Sequence, residues 1–562
     1  MTVTPTSPAT QLKVTTSQQM TTTFLIPSKM KEYGPFLLLL LLAYCTVFAN
    51  NGLFDLDVME ARNIVTAREM VAEQNWLIPT MNGEIRINKP PLPTWLTAIP
   101  LLFGKSDDNL HAMRSPAGLA AIVMMIFVYL FVTKLTDDRV IPFICTAVMI
   151  SSEFLFIMSK RASWDIFCHT FMLGALCMFV SGWQKKDRSF HLFFFAGLLM
   201  GLSFMSKGPI SFHSMLLPFL LSYIHIYGYR TILMQWKGTL LAVFICVVIA
   251  AAWPCYLYLY IPEALVHVEA AEMHTWLQVI RKPLWYYMSF PVHAGLWICL
   301  LVAAILYPVF PNKHDSFHSS KTYKFLLFWL IWTVVLLTLV PKKSTHYLFP
   351  VIVPISILIG MYIKYLIDIF SERREALPDR VVIAVHAILI FITAICSCAF
   401  YLYVIIKIDH IFSIYKFSIA MIFCFLALLS LFFFRKGKIS SLMTVTAILI
   451  CFLCIAMPPA IAQKVHHRSF MALIGSRAQT SGRELSFYSS YQMDTKEIWA
   501  IGRRVTKIDP VQLALRPKPL AFFSKEHPVK AMEKLPANNR WTITSYEDKH
   551  SHDVWYLSLI EK

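Results

Sequence analysis

VVIAVHAILIFITAICSCAFYLYVII, residues 381–406, contains no Asp, Glu, Lys or Arg. An α-helix rises about 1.5 Å per residue, and about 20 apolar residues cross the hydrocarbon of a bilayer. The stretch predicts a transmembrane helix that starts after Arg380. Working outward from it, similar runs occur near 115–133, 139–158, 165–183, 189–206, 209–228, 238–260, 289–310, 324–341, 347–369, 411–434 and 439–462. With Phe36 to Phe48 they predict about 13 spans. The division at Gly208-Pro209 has the weakest signal.

The composition agrees. Of 562 residues, 57% are hydrophobic and 15% charged, against roughly 25% charged in ordinary soluble domains. That excludes a soluble globular enzyme, a disordered protein and a disulfide-knit secreted module. The net charge is +18. In a polytopic chain such an excess belongs in cytoplasmic loops, near anionic lipid headgroups. No nucleic-acid partner is expected, because the bases are scattered through short loops. All 12 cysteines lie between Cys45 and Cys454, in apolar runs. They read as buried structural thiols.

Sidedness follows from parity. With a cytoplasmic N-terminus, the inner links are those around Lys134 to Arg139, Lys185 to Arg188, Arg230 to Lys237, Lys313 to Lys324, Arg373 to Arg380 and Arg435 to Lys438. Each is basic or mixed-basic, as the positive-inside rule requires. The outer links are 51–114, 159–164, 207–208, 261–288, 342–346 and 407–410, with the tail from 463. Residues 1–34, rich in Thr, Ser and Pro, read as a disordered cytoplasmic segment. Phe36 to Phe48 reads as a retained anchor rather than a cleaved signal. Residues 35–462 form the membrane module, with 51–114 as its large outer loop. Within that loop 58–73 predicts a surface helix, and Leu92 to Phe103 a short helix at the interface. The tail, 463–562, alternates strand-like runs (LSFYSSY, WTITSY, DVWYLSLI) with Pro-rich turns and a helix near Thr495 to Arg503. It predicts a small α/β domain.

The outer links hold most of the unusual polar residues. Asp55, Asp57, Glu60, Arg62, Arg68 and Glu69 crowd one segment, and Lys89 precedes Pro90-Pro91. Lys160, Arg161 and Asp165 lie at one helix boundary and Lys207 at another. His267, His274, Arg281, Lys282, Tyr286 and Tyr287 fall in a fourth link; Lys342, Lys343, His346 and Tyr347 in a fifth. Converging, these would set carboxylates beside a ring of cations, which suits a phosphate-bearing substrate. Asp55, Arg68, Glu69, Lys282 and Lys342 read equally well as solvated loop charges. His267 and His274 read as ordinary loop histidines before metal ligands, and Tyr286-Tyr287 as an interfacial aromatic belt. Asp165 is different. It starts an apolar run at membrane depth, where a carboxylate needs a partner or water. Arg161, four residues earlier, is the expected partner. Lys89 stands on a backbone stiffened by two prolines.

The string MEARNIVTAREMVAEQNWLIPTMNGEIRINKPPLPTW resembles the first outer loop of bacterial lipid A aminoarabinose transferases and their GT-C relatives, which include protein O-mannosyltransferases. Glu60, Arg62, Arg68-Glu69-Met70, Trp76, Pro79, Lys89-Pro90 and Trp95 fill that pattern in order. Further matches are Arg161 to Asp165 (RASWD), GLSFMSKGP ending at Pro209, Pro283 to Tyr287 (PLWYY) and KSTHYLFP from Lys343. The resemblance covers roughly residues 35–370, and the rest only in layout. Two positions depart from it. Met59 stands where the family usually has an Asp, and Asn88 where the aminoarabinose branch has a Glu associated with a bound metal.

The resemblance implies a GT-C fold in a bacterial inner membrane, with the active site and the small C-terminal α/β domain on the periplasmic side. It implies sugar transfer from an undecaprenyl (polyprenyl) phosphate donor to lipid A, another envelope glycan or a protein. In it Arg62, Lys89 and Tyr347, with Lys207, would hold the carrier phosphate. Asp165 would lie near the sugar or acceptor. Asp57, with Glu60 next, would serve as base in an inverting displacement. Asp55, Arg161, Lys343, His346 and Arg281 would support. A divalent metal has no assigned ligands; His267 and His274 are the candidates. Membrane lipids are the other expected partners, and the chain is expected to act as a monomer. From another class, a lipid or solute flippase would explain the spans and Asp165, but not the large loop or the tail. A scaffold role would make no single loop charge important.

Overall fold

The computed structural model describes residues 28–185, 189–268, 282–309, 320–406, 413–465, 473–529, 540–547 and 553–561. Helix α1 (Ser28–Ala43) continues as one π-turn over Tyr44–Phe48. Helix α2 (Val58–Glu73) starts where Asp57 accepts the Met59 N–H at 2.9 Å, an N-cap. A two-stranded hairpin, β1 (Thr80–Met81) and β2 (Glu84–Ile85), follows. Then come α3 (Leu92–Leu102), α4 (Leu110–Leu135), α5 (Ile141–Ile150), α6 (Glu153–Ser159), α7 (Trp164–Trp183) and α8 (Phe190–Lys207).

Among the described residues ten helices are long and apolar enough to cross a membrane. The pair α5 and α6 makes an eleventh, bent by 59°. Two shorter apolar helices, Phe36–Phe48 and Phe212–Tyr227, fall where the first and sixth spans were expected. The chain is a multi-span helical membrane protein with a C-terminal sheet. The bend replaces the straight span expected over 139–158. Ser151 and Ser152 turn their hydroxyls onto the carbonyls of Ala147 and Met149, and Ser152 then caps α6. The division at Gly208 is present: its φ of 71° ends α8. Helix α8 packs on α7 and on the helix Trp236–Tyr260. At Gly197 a Cβ would collide with the Ala242 carbonyl, so only glycine allows that approach.

The tail carries a five-stranded sheet in the order β4-β3-β5-β7-β6. The strands are β3 (Ser486–Ser489), β4 (Thr506–Lys507), β5 (Leu520–Ser524), β6 (Arg540–Glu547) and β7 (Val554–Glu561). Strand β3 is parallel to β4 and β5; β7 is antiparallel to β5 and β6. Central β5 is buried along its whole length, as a strand covered on both faces must be.

The sheet does not hang free. Ala61, Ile64 and Val65 of α2 share one core with Phe487, Trp499, Phe523 and Trp555 of the tail. Polar contacts reinforce it. Asp107 receives Arg68 at 3.1 Å and Arg477 at 2.5 Å, and its carbonyl accepts the Trp499 indole N–H at 3.0 Å. Asn82, at the hairpin turn, exchanges two hydrogen bonds with the Val505 backbone. Glu69 accepts from Thr80, from the Asn82 and Gly83 N–H groups and from Arg504. The hairpin leading to Arg86 and Lys89 is thus tied to α2 and to the tail together.

Candidate active site

The site forms around the head of α7. The turn after α6 closes with Ser163 N–H donating to Arg161 O at 2.7 Å, and α7 then begins at Trp164. Asp165, in its first turn, is nearly buried and forms an ion pair with Lys207 at the end of α8. The Lys207 ammonium also lies 5.3 Å from the Tyr347 ring centre. His346 lies in electrostatic reach of Asp165, Arg161, Asp57 and Lys207. Inside this shell His169 contacts the Asp165 carbonyl at 2.8 Å and Ser214 at 3.4 Å. Four segments distant in sequence therefore meet: 57, 161–169, 207 and 346–347.

Asp57 fits this group differently from Glu60. One Asp57 oxygen caps α2; the other lies 3.9 Å from Arg161, with both side chains about one-third exposed. Glu60 is fully buried and saturated. Arg114 donates to both its oxygens, at 2.7 and 2.8 Å, and the Ala162 N–H donates at 3.0 Å. Arg114 also holds the carbonyls of Asn51, Phe54 and Asp55. Glu60 is therefore placed as a buried strut, whereas Asp57 is reachable from solvent. One correction concerns Asp165. Its ion-pair partner is Lys207, not Arg161. Arg161 precedes the start of α7, so their four-residue spacing does not place them on one helix face.

Arg62 and Arg86 are close enough for their charges to repel. Burial first, then Arg62, pushes the Arg86 guanidinium down to about 10, which leaves it charged at neutral pH. Among the described residues neither arginine has an ion-pair partner. Arg86 reaches Thr66 at 3.4 Å and stacks 5.1 Å from the Trp164 ring centre. Lys89 sits on a segment pinned at both ends to α2: by that Thr66 contact before it, and by Thr94 donating to Asn63 at 2.7 Å after it.

The other expected residues are more dispersed. Asp55 is exposed and lines, with Lys160 and Arg161, a cavity of about 490 Å³ walled by Phe156, Cys454 and Met457. Lys343 is buried beside Ser344, whose N–H donates to the Tyr287 hydroxyl at 3.2 Å. Tyr286 contacts Thr345 and Lys282, each at 3.2 Å. His267 is exposed, and His274 and Arg281 lie outside the described residues. No group of three or more His, Cys, Asp or Glu among the described residues is arranged to hold a metal ion. Sequence reasoning passed over Arg86 and Arg114. Arg86 had a signal, standing three residues before Lys89; Arg114 had none, since its partner is 54 residues away.

Residues 88–256 match the family model described as dolichyl-phosphate-mannose-protein mannosyltransferase. The structure of ArnT from Cupriavidus metallidurans bound to undecaprenyl phosphate superposes with a TM-score of 0.68, covering 95% of this chain and 98% of that one at 15% identity. The chain has an ArnT-like GT-C fold. In sequence it is similar to undecaprenyl phosphate-alpha-4-amino-4-deoxy-L-arabinose arabinosyl transferases. That of Shewanella sediminis is 24% identical over 336 residues, 57% of each chain. One from Pseudomonas fluorescens is 25% identical over 336 residues, 57% of this chain and 54% of the relative. The aligned stretch thus spans little more than half the length of these relatives. The resemblance seen in the first-loop string is met in sequence and in fold.

Proposed function

We propose that this chain is a membrane glycosyltransferase that moves a sugar from undecaprenyl phosphate to an acceptor at the loop face. The observation that carries this reading is the gathering of Asp57, Arg161, Asp165, Lys207, His346 and Tyr347 at the head of α7, where Arg86, which like Arg62 has no ion-pair partner among the described residues, lies on the Trp164 ring. In the reaction the bond between the anomeric carbon and the phosphate oxygen breaks, and its electron pair stays on that oxygen. A phosphodiester monoanion becomes a phosphomonoester dianion. Lys89, Arg62, Tyr347 and Lys207 stabilise the charge that grows there, more in the transition state than before it. Asp57 takes the acceptor's proton as the acceptor attacks the opposite face, so the anomeric centre inverts. Asp165 holds the Lys207 ammonium in place and out of the bulk solvent.

The basic links on the opposite side support a loop face on the periplasmic side of a bacterial inner membrane. The donor's isoprenoid then lies between spans, with its phosphate at the interface. The acceptor is lipid A, another envelope glycan or a protein.

The test uses purified protein in nanodiscs with a polyprenyl-phosphate sugar, each acceptor class offered in turn. Transfer to one of them is expected. Lys89→Ala should lower kcat by about 10²–10³-fold, as removal of one such donor does, and leave membrane insertion intact. Full activity in that variant, or no transfer by the wild type to any acceptor, would overturn the reading.

A further inference from the structure

The head of α7 contains more unsatisfied hydrogen-bond donors than its packing explains. The Trp164 side chain is 2% exposed, yet among the described residues its indole Nε1 has no partner. Ser163, at the N-cap position and 9% exposed, makes no capping bond, and its hydroxyl is also without a partner. The Nε of Arg62 is a third such group. Arg86 lies on the Trp164 ring and within charge range of Arg62. A buried donor left unbonded is destabilising, because it has given up its water without a replacement. Two like charges held together without a carboxylate add a further cost. An anion placed there would satisfy the donors and relieve the repulsion together. The N-terminus of a long helix at the same place favours the same sign of ligand.

We propose that Arg86 is a further substrate-binding residue, which with Arg62 and the Trp164 indole grips the lipid phosphate as it gains its second negative charge. This rests on the glycosyl-transfer reading and deepens it: it names a residue that discriminates the dianionic monoester from the monoanionic diester. Arg62 and Arg86 repel one another before the bond breaks. Each negative charge added between them relieves that repulsion, so the pair contributes most when the leaving group is fully formed. Arg86 thereby acts on the transition state and on the product, and little on the bound donor. Its planar fork can bond two phosphate oxygens while its face stays on the Trp164 ring.

The experiment compares wild type, Arg86→Gln, Arg86→Lys and Trp164→Phe in nanodiscs of neutral phosphatidylcholine. Each is titrated with undecaprenyl phosphate and with undecaprenol, and steady-state transfer is measured alongside. For wild type, undecaprenyl phosphate should bind at least tenfold tighter than the uncharged alcohol. Arg86→Gln should lose most of that preference and about 10²-fold in kcat, with the donor KM changed less than about threefold. Arg86→Lys should recover part of the phosphate preference, and Trp164→Phe should lose part of it while melting as the wild type does. If Arg86→Gln keeps both the preference and kcat, the inference fails and the transferase reading stands. The inference also fails if kcat falls only in step with the melting temperature and lysine restores nothing. If the wild type itself does not distinguish phosphate from alcohol, both readings fail.

Discussion

Replacing Glu60 by Gln separates the buried strut from Asp57, the proposed base. Both Glu60 and Arg114 are fully buried, and the guanidinium satisfies two carboxylate oxygens and three backbone carbonyls. Glutamine keeps the shape and one acceptor. Its amide nitrogen must then face Arg114 or the Ala162 N–H, both donors, and the guanidinium loses its counter-charge. Removing one partner of a buried pair costs about 3–5 kcal/mol, out of a total of about 5–15 kcal/mol for a typical fold. The loss falls on the 51–55 segment and on the turn at Ala162, which Glu60 ties together. The assay is thermal unfolding of the detergent-solubilised protein, with turnover normalised to the folded fraction. Glu60→Gln should melt several degrees lower while the folded molecules turn over within about threefold of wild type. A variant that melts like the wild type, but has lost turnover, would refute the assignment and return Glu60 to the chemistry.

Asp57→Asn should show the reverse pattern. Its helix-capping oxygen survives in Asn, so the melting point should hold, while kcat falls about 10²–10⁴-fold as for loss of a general base. The tail's grip on the hairpin should be acid-sensitive. Burial pushes the Glu69 carboxyl up, but hydrogen bonds from Arg504, the Gly83 N–H and Thr80 outweigh it and hold it below the usual carboxylate range. A lowered folded-state pKa gives stability that is complete above the unfolded value and is lost as pH falls through the folded one. Melting temperature should therefore be flat above about pH 5 and fall below about pH 4. Arg504→Ala should shrink that acid limb, and an unchanged limb would refute the linkage.

The spans were legible because crossing hydrocarbon demands long uncharged runs, and the chain supplies them. Helix α2 was legible in its bounds, Val58–Glu73, but not as the surface helix expected: nine of its residues are buried, because the tail packs on it. The tail helix near Thr495 ends at Ile501, where Gly502 takes a left-handed conformation. The buried strand β5 was missed. Four apolar residues and a serine without alternation, set among prolines, carry no period to read. The site was half legible. Residue types at the link ends pointed to Asp57, Asp165, Lys207 and Tyr347 as one group. What pairs with what was not, because the partners of Asp165 and Glu60 lie 42 and 54 residues away. Local spacing instead offered Arg161, on the wrong side of a helix start.

The shared core of α2 with Trp499 and Trp555 has a consequence for biosynthesis. A ribosome delivers α2 and the hairpin early and their packing partners last. Until residues beyond 473 emerge, Asp107 lacks Arg477, Glu69 lacks Arg504 and Asn82 lacks Val505. Through that interval the hairpin is held by α2 alone. Arrival of Arg477, Arg504 and Val505 completes these contacts, so a copy clipped before them keeps the hairpin only by its bonds to α2.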